Sequence, residues 1–322
     1  MPGRLLALFD PFVAGLIGIL LLATIAPPQG AWAAIASDAA NVGIVLLFFL
    51  HGAKLSRQAI LDGARNWQLH LATLATTFVL FPLLGMALTS LPLFDRTTGM
   101  GLLFLTLLPS TVQSSIAFTS IARGNVAGAV CSASFSNLLG IAATPLLVMW
   151  LMGGNGAGIS IESAKSIALQ LLLPFVVGHL SRPLVGAFVA RHKRFVSLVD
   201  RGSILLVVYT AFGAAVAEGL WQRLPLSGLA LILLGCAIIL GIVLMLTWWL
   251  GGALGFSRAD RIVLLFCGSK KSLASGVPMA GVLFPPAQVG LVLVPLMIFH
   301  QIQLVACAVI ARRLARSAPT DE

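Results

Sequence analysis

Acidic side chains are scarce in this sequence. Only ten of its 322 residues are Asp or Glu, and charged residues of both signs make up 9%, where a soluble globular chain carries about 25%. Asp10, Asp38, Asp62, Asp95, Glu162, Asp200, Glu218, Asp260, Asp321 and Glu322 each lie at the end of an apolar run, between two runs or in the tail. No carboxylate is therefore placed to neutralise a cation in the middle of such a run. Cysteine is sparser still. Cys131, Cys236, Cys267 and Cys307 sit inside apolar stretches with no CxxC or Cys/His pairing, which argues against a disulfide framework and a zinc site and leaves them as small buried hydrophobes. No basic stretch is interleaved with aromatics, so the formal charge of +10 does not describe a nucleic-acid surface. No cofactor is implied.

What the chain has in abundance is apolar length. It is 59% apolar with a mean hydropathy of +1.03, the composition of an all-α polytopic membrane protein. Apolar stretches at about 11–27, 39–53, 68–91, 99–121, 125–152, 166–190, 202–219, 225–255, 261–284 and 286–311 predict ten spans, each near the length that crosses a bilayer. Arg4, the run from Phe12 to Ile25 and the small residues Ala31, Ala33 and Ala34 imitate a cleavable signal peptide. That segment has an internal copy further along, so it is assigned to the fold.

Basic residues set the orientation. With the N-terminus in the cytoplasm, fifteen of the twenty (Arg4, Lys54, Arg57, Arg65, Arg123, Arg182, Arg191, Lys193, Arg194, Arg201, Arg258, Arg261, Arg312, Arg313 and Arg316) fall inside. Arg96, Lys165 and Arg223 fall outside, and Lys270 and Lys271 within the membrane. The positive-inside rule then places both termini in the cytoplasm.

An internal repeat reinforces this. Pro11-Phe12-Val13-Ala14-Gly15 recurs as Pro174-Phe175-Val176-Val177-Gly178, and Gly43-Ile44-Val45-Leu46-Leu47 resembles Ser203-Ile204-Leu205-Leu206-Val207, at offsets of 163 and 160. The predicted halves are residues 1–160, spans 1 to 5, and 161–322, spans 6 to 10. A repeat of five spans, an odd number, inserts with opposite orientation. Inverted repeats with paired broken helices mark secondary transporters, whose sites lie where the breaks cross near the midplane.

Both breaks are visible. The fourth apolar stretch is interrupted by Pro109-Ser110-Thr111-Val112-Gln113-Ser114-Ser115, and the ninth by Gly268-Ser269-Lys270-Lys271-Ser272 with Ser275 and Gly276 beyond. A lysine at bilayer depth costs a few kcal/mol on the insertion scale and is normally kept for a function; the bland alternative is a lysine snorkelling from a helix end. Each broken helix exposes carbonyls at the end of its first half and N–H groups at the start of its second. The carbonyl ends attract cations and the N–H ends anions, so the ammonium groups suit the carbonyls, and hydroxyls and N–H groups are left for an anionic substrate. At matching depth lie Thr76 and Thr77, then Ser132, Ser134, Ser136 and Asn137, then His300, Gln301 and Gln303. Any one of the serines is as readily explained by a bond to the carbonyl of the preceding turn, and His300 by interhelical hydrogen bonding.

Leu108-Pro109-Ser110-Thr111, the turn Ala122-Arg123-Gly124-Asn125-Val126-Ala127, the second break and Phe299-His300-Gln301-Ile302 together resemble the bile acid:sodium symporter family, solute carrier family 10. The resemblance covers nearly the whole chain and is nearest to the branch containing the seventh human member and its bacterial homologues. It implies a panel domain of spans 1, 2, 6 and 7, a core domain of spans 3, 4, 5, 8, 9 and 10, and alternating access. Departures from the sodium-coupled pattern are concentrated at the ion ligands. Phe266 stands where such relatives carry Glu, Lys270-Lys271 where they carry Gln-Asn, Ser114-Ser115 where they carry Ser-Asn, and Thr77 where they carry Gln. An ammonium beside a sodium site repels the ion, so Lys270 and Lys271 are expected to replace the two sodium ions.

The sequence thus predicts an inner-membrane secondary transporter, not an enzyme, that moves a small organic anion. Substrate contacts are expected from Ser110, Thr111, Gln113, Ser114, Ser115, Asn137, Ser269, Lys271, Ser272, His300 and Gln301. The replaced or coupling ion site is expected at Lys270, Lys271, Thr77, Ser114, Ser115 and Ser132. Coupling to sodium, or to protons through a buried lysine, is left open, as are a non-transporting sensor or scaffold and an intramembrane hydrolase using Ser269 or Ser272 with a lysine base.

Overall fold

The computed structural model describes residues 11–54, 66–152, 165, 168–219, 222 and 224–317, and every regular element among them is helical. In chain order these are α1 (Pro11–Ile25), α2 (Gly30–Lys54), α3 (Trp67–Thr89), α4 (Arg96–Leu107), α5 (Val112–Ile121), α6 (Val126–Met152) and α7 (Ala168–Leu180), followed by α8 (Arg182–Arg191), α9 (Lys193–Ala217), α10 (Leu226–Ala253), α11 (Arg258–Gly268), α12 (Leu273–Leu283) and α13 (Pro286–Arg316). Arg4, Arg57, Arg65, Arg223, Asp10, Asp62, Glu162, Asp321 and Glu322, used in the charge argument, lie outside the described residues.

Six helices, α2, α3, α6, α9, α10 and α13, are long and apolar enough to cross a membrane, and two bent pairs, α4 with α5 and α7 with α8, qualify when each is taken as one span. The protein is an integral membrane protein with six to eight such spans among its described residues.

The elements depart from the apolar stretches in two instructive ways. α2 starts at Gly30, well before the stretch predicted from residue 39, because the Ala-rich segment Ala33 to Ala40 is a strong helix former although its mean polarity is higher. The sixth stretch, expected as one span over 166–190, bends by 91° between Leu180 and Arg182. Pro183 accounts for the stop: it has no N–H to return to the preceding turn, so the α7 ladder cannot run on through it, whereas the first turn of a new helix, α8, accepts a proline.

The chain divides into two compact units, one made of Met1–Lys54, Ile159–Pro225 and Val277–Leu291, the other of Leu55–Gly158, Leu226–Gly276 and Val292–Glu322. In the first unit α2 and α7 cross closely enough that a Cβ on Gly178 would lie 2.0 Å from the Phe49 carbonyl oxygen. Only glycine fits that crossing. The Tyr209 hydroxyl on α9 donates to the carbonyl of Ala26 at the end of α1, 2.9 Å away, and Lys54 pairs with Asp200.

The second unit is built around the two helix breaks. Its α11 is anchored at the start by Ser257, whose side chain accepts from the N–H of Asp260. Asp260 in turn accepts from Asn125 at 2.8 Å and from Asn66 at 3.3 Å. Asn125 belongs to the turn after α5, where the Gly124 N–H reaches the Thr119 carbonyl at 2.8 Å and the Arg123 N–H reaches Ser120 at 3.1 Å. This is a Schellman stop with Arg123 in the left-handed position at φ 57°, a place usually given to glycine. The network fixes where α11 begins, and so fixes the depth at which it ends.

Candidate functional site

The first break has a local cause. Pro109 has no N–H, and it forces Leu108 into extended backbone with ψ 155°, so α4 stops at Leu107. The carbonyls of Thr106, Leu107 and Leu108 are left without helical partners. The Ser110 N–H, which would otherwise return to Thr106, bonds the Ser136 hydroxyl at 2.9 Å, and Leu107 accepts from the Thr144 hydroxyl at 2.8 Å.

The carbonyls of Thr106 and Leu108 take the Lys271 ammonium, both at 2.7 Å. A third carbonyl, that of Thr77, takes it at 2.8 Å. That third acceptor also has a cause in the sequence. In the π turn Thr76–Leu80 the Phe81 N–H bonds back five residues to Thr76, so in the same register the Thr77 carbonyl would need the N–H of residue 82. Residue 82 is proline, which has none. All three donors of Lys271 are thus engaged by main-chain oxygens, with the Phe81 ring 4.1 Å from the ammonium.

Lys270 is held differently. Its ammonium has the Ser114 hydroxyl at 3.4 Å, the Phe118 ring centroid at 4.2 Å and the Phe266 ring at 5.5 Å. Both lysines are fully buried, at 0% exposure, so neither is a snorkelling side chain.

At the second break α11 ends at Gly268 and α12 resumes at Leu273. The terminal carbonyls of α11 receive hydroxyls: Phe266 accepts from Ser115 at 3.0 Å, Cys267 from Ser110 at 2.6 Å and Leu265 from Ser269. Two further bonds join the breaks directly, Thr111 hydroxyl to Lys271 carbonyl at 2.8 Å and Ser272 N–H to Pro109 carbonyl at 2.9 Å. Gln303 brackets the Lys271 peptide unit, accepting from its N–H at 2.9 Å and donating to its carbonyl at 3.0 Å. The same Gln303 amide nitrogen lies 2.9 Å from His300 Nδ1.

Of the residues singled out in the sequence, Ser110, Thr111, Ser114, Ser115, Ser272, Lys270 and Lys271 meet at this crossing. Asn137 joins through Ser275, whose hydroxyl donates to its side-chain oxygen at 2.8 Å. The Thr77 hydroxyl turns back to Thr73 and only its carbonyl reaches the site. Ser269 likewise bonds its own helix, and Ser132 lies 2.7 Å from His70 Nδ1 on the neighbouring α3. Gln113 is exposed and Gln301 half-buried. The hydroxyls of Ser269 and Ser272 are engaged with Leu265 and with Ser275, and the lysine amines lie on other groups, so a serine–lysine hydrolytic pair is not formed. Sequence reasoning placed Gln303 and Ser136 at the right depth without giving them a task. It did not single out Phe81 or Phe118, and nothing in an apolar run distinguishes a phenylalanine beneath an ammonium from one in the core.

The chain is similar along nearly its whole length to proteins of one membrane-transporter family. The family described as the SBF-like CPA transporter family matches residues 10–316. An uncharacterized protein of Pseudomonas aeruginosa is 54% identical over 310 residues, covering 95% of this chain and 93% of its own. YfeH of Escherichia coli (strain K12) is 50% identical over 315 residues, covering 97% of this chain and 95% of its own. More distantly, sodium/bile acid cotransporter 7-A of Xenopus laevis is 24% identical over 310 residues, covering 93% and 90% of the two chains. A match of this extent settles the class of protein: the chain belongs to the SBF-like CPA transporter family and is a membrane transporter, not an enzyme.

Proposed function

We propose that this protein is a secondary active transporter that moves a small organic anion across the inner membrane by alternating access, and that Lys270 and Lys271 stand where sodium-coupled relatives hold two sodium ions. The observation that carries this is the cage around Lys271. Three main-chain oxygens converge on one cationic centre at 2.7 to 2.8 Å, the oxygen-rich surroundings that a small hard cation would seek, and the cation is covalently tethered. Phe266, which the resemblance aligns with a Glu of sodium-coupled relatives, has its ring centroid 5.5 Å from the Lys270 ammonium. On that alignment a ring face serves here as the partner of a positive charge where a carboxylate would serve in a sodium site.

The full topology proposed is ten spans in two inverted repeats, residues 1–160 and 161–322, with both termini in the cytoplasm. Its support is that the shorter apolar helix α1 and the broken pair α11 and α12 add two segments to the eight that satisfy length and composition. The repeat is supported by Gly43 and Ser203, its two matched positions, which face each other with 3.0 Å between a Cβ built on Gly43 and the Ser203 hydroxyl. The panel and core domains are supported in part by the division of the chain, since residues 11–54 and 168–219 fall in one unit and both breaks in the other, while Val277–Leu291, from spans 9 and 10, falls with the first.

An anion is favoured as cargo because no carboxylate among the described residues bonds either ammonium. His300, Gln301, Asn137, Gln113 and Ser272 are proposed to contact it. Sodium coupling is the competing reading, suggested by the name of the Xenopus laevis relative, sodium/bile acid cotransporter 7-A. The test is uptake into proteoliposomes of whichever organic anion raises the unfolding temperature of the chain, under a sodium gradient, a pH gradient and neither. Uptake without sodium is expected. Uptake that collapses when sodium is withdrawn, in a chain retaining both lysines, overturns the replacement.

A further inference from the structure

The amide of Gln303 cannot be turned over. Its oxygen must face the Lys271 N–H, 2.9 Å away, and its nitrogen must face the Lys271 carbonyl, 3.0 Å away; the reverse orientation would set donor against donor and acceptor against acceptor. One N–H of that nitrogen is used on Lys271. The other points at His300 Nδ1, 2.9 Å away. A ring nitrogen that receives an N–H is an acceptor and carries no proton of its own, so the neutral imidazole bears its hydrogen on Nε2. Ring polarity in α13 is thereby dictated by one peptide unit in the break between α11 and α12.

We infer that Gln303 is a positioning residue that locks His300 as the Nε2–H tautomer, so that whatever group meets Nε2, a protein acceptor or a ligand's carboxylate, sulfonate or phosphate oxygen, meets a donor and must itself accept. The ligand class rests on the transport function proposed above; the tautomer does not. Gln303 is fully buried and His300 is 7% exposed, so water does not compete for the bond that sets the ring. The same geometry excludes a ligand donor as partner for His300 Nε2, because two N–H groups would face each other.

The chain contains five histidines, few enough for the test to be made on the intact protein. Full-length protein labelled with [15N]histidine in lipid nanodiscs, free of anion and sodium, is examined by long-range 1H–15N correlation at a pH where imidazoles are neutral, with His300→Gln identifying the signal. The native protein is expected to show His300 wholly as the Nε2–H form. Gln303→Leu should release it to a mixture of both forms. Gln303→Glu should invert it, because a carboxylate facing Nδ1 can only accept. Gln303 as mere packing would leave the tautomer unmoved in both variants. An Nδ1–H ring in the native protein, or an Nε2–H ring that persists in Gln303→Glu, overturns the inference. If neither variant folds, the native spectrum alone decides. Because no substrate or gradient enters the measurement, its failure leaves the uptake assay standing, and failure of uptake leaves the tautomer assignment standing.

Discussion

The Lys271 ammonium lies 2.8 Å from the carbonyl oxygen of Thr77, a carbonyl left open because the residue five positions on is Pro82. With Pro109, which ends α4 and opens the carbonyls of Thr106 and Leu108, two prolines build most of the receptor for one buried charge. Taking an ammonium out of water costs several kcal/mol. Three charge-assisted hydrogen bonds, each worth about 1.5 to 3 kcal/mol, offset that cost.

The two lysines should therefore differ sharply in their contribution to stability. Lys271→Met strands three buried carbonyls and is expected to cost about 3 to 5 kcal/mol by equilibrium unfolding in mixed micelles. Lys270→Met removes one 3.4 Å contact and two ring contacts and should change stability by about 1 kcal/mol or less. Equal costs would mean that the carbonyl cage adds nothing.

Pro82→Ala supplies an N–H that competes with Lys271 for the Thr77 carbonyl. A double-mutant cycle of Pro82→Ala with Lys271→Met should therefore show a coupling of about 1 kcal/mol, the proline change being less harmful once the ammonium is gone. Additivity within error would remove proline from the account of the cage.

Gly140 on α6 backs the first break, where a Cβ would sit 2.5 Å from Pro109 Cβ. Gly140→Val should cost about 1 to 3 kcal/mol by overpacking and should lower anion-induced thermal stabilisation as well, since it pushes on the break itself. Gly241 on α10 has nothing within 4 Å of an added Cβ; Gly241→Ala should be neutral or stabilise by up to about 1 kcal/mol through helix propensity. The pair separates a packing effect at the break from a general intolerance of substitution in membrane helices.

Much of this was legible in the sequence because its signals are chemical. A proline flanked by hydroxyls inside an apolar run, a lysine pair inside another, and a Gln, a His and an Asn at matching depth are rare enough in lipid-facing segments to be noticed. What those side chains bond was not legible. Thr77 is used through its carbonyl, which every residue has, and Ser269 turns its hydroxyl back to its own helix while Ser110 and Ser115, alike in the sequence, reach across to α11. Hydrophobic length located most helices yet could not place the start of α2, where alanine propensity extends the helix beyond the strongly apolar run, nor the 91° bend at Ser181.

The tethered-cation account is tested most directly by the response of the folded chain to sodium itself. Unfolding temperature is measured on the full-length protein in detergent while sodium chloride replaces choline chloride at constant ionic strength. A bound ion at about 100 times its dissociation constant would stabilise the native state by about 2.7 kcal/mol. With Lys271 already seated on the carbonyls of Thr77, Thr106 and Leu108, the account predicts superimposable curves in the two salts; a saturable, sodium-specific rise in the unfolding temperature of the native chain would contradict it.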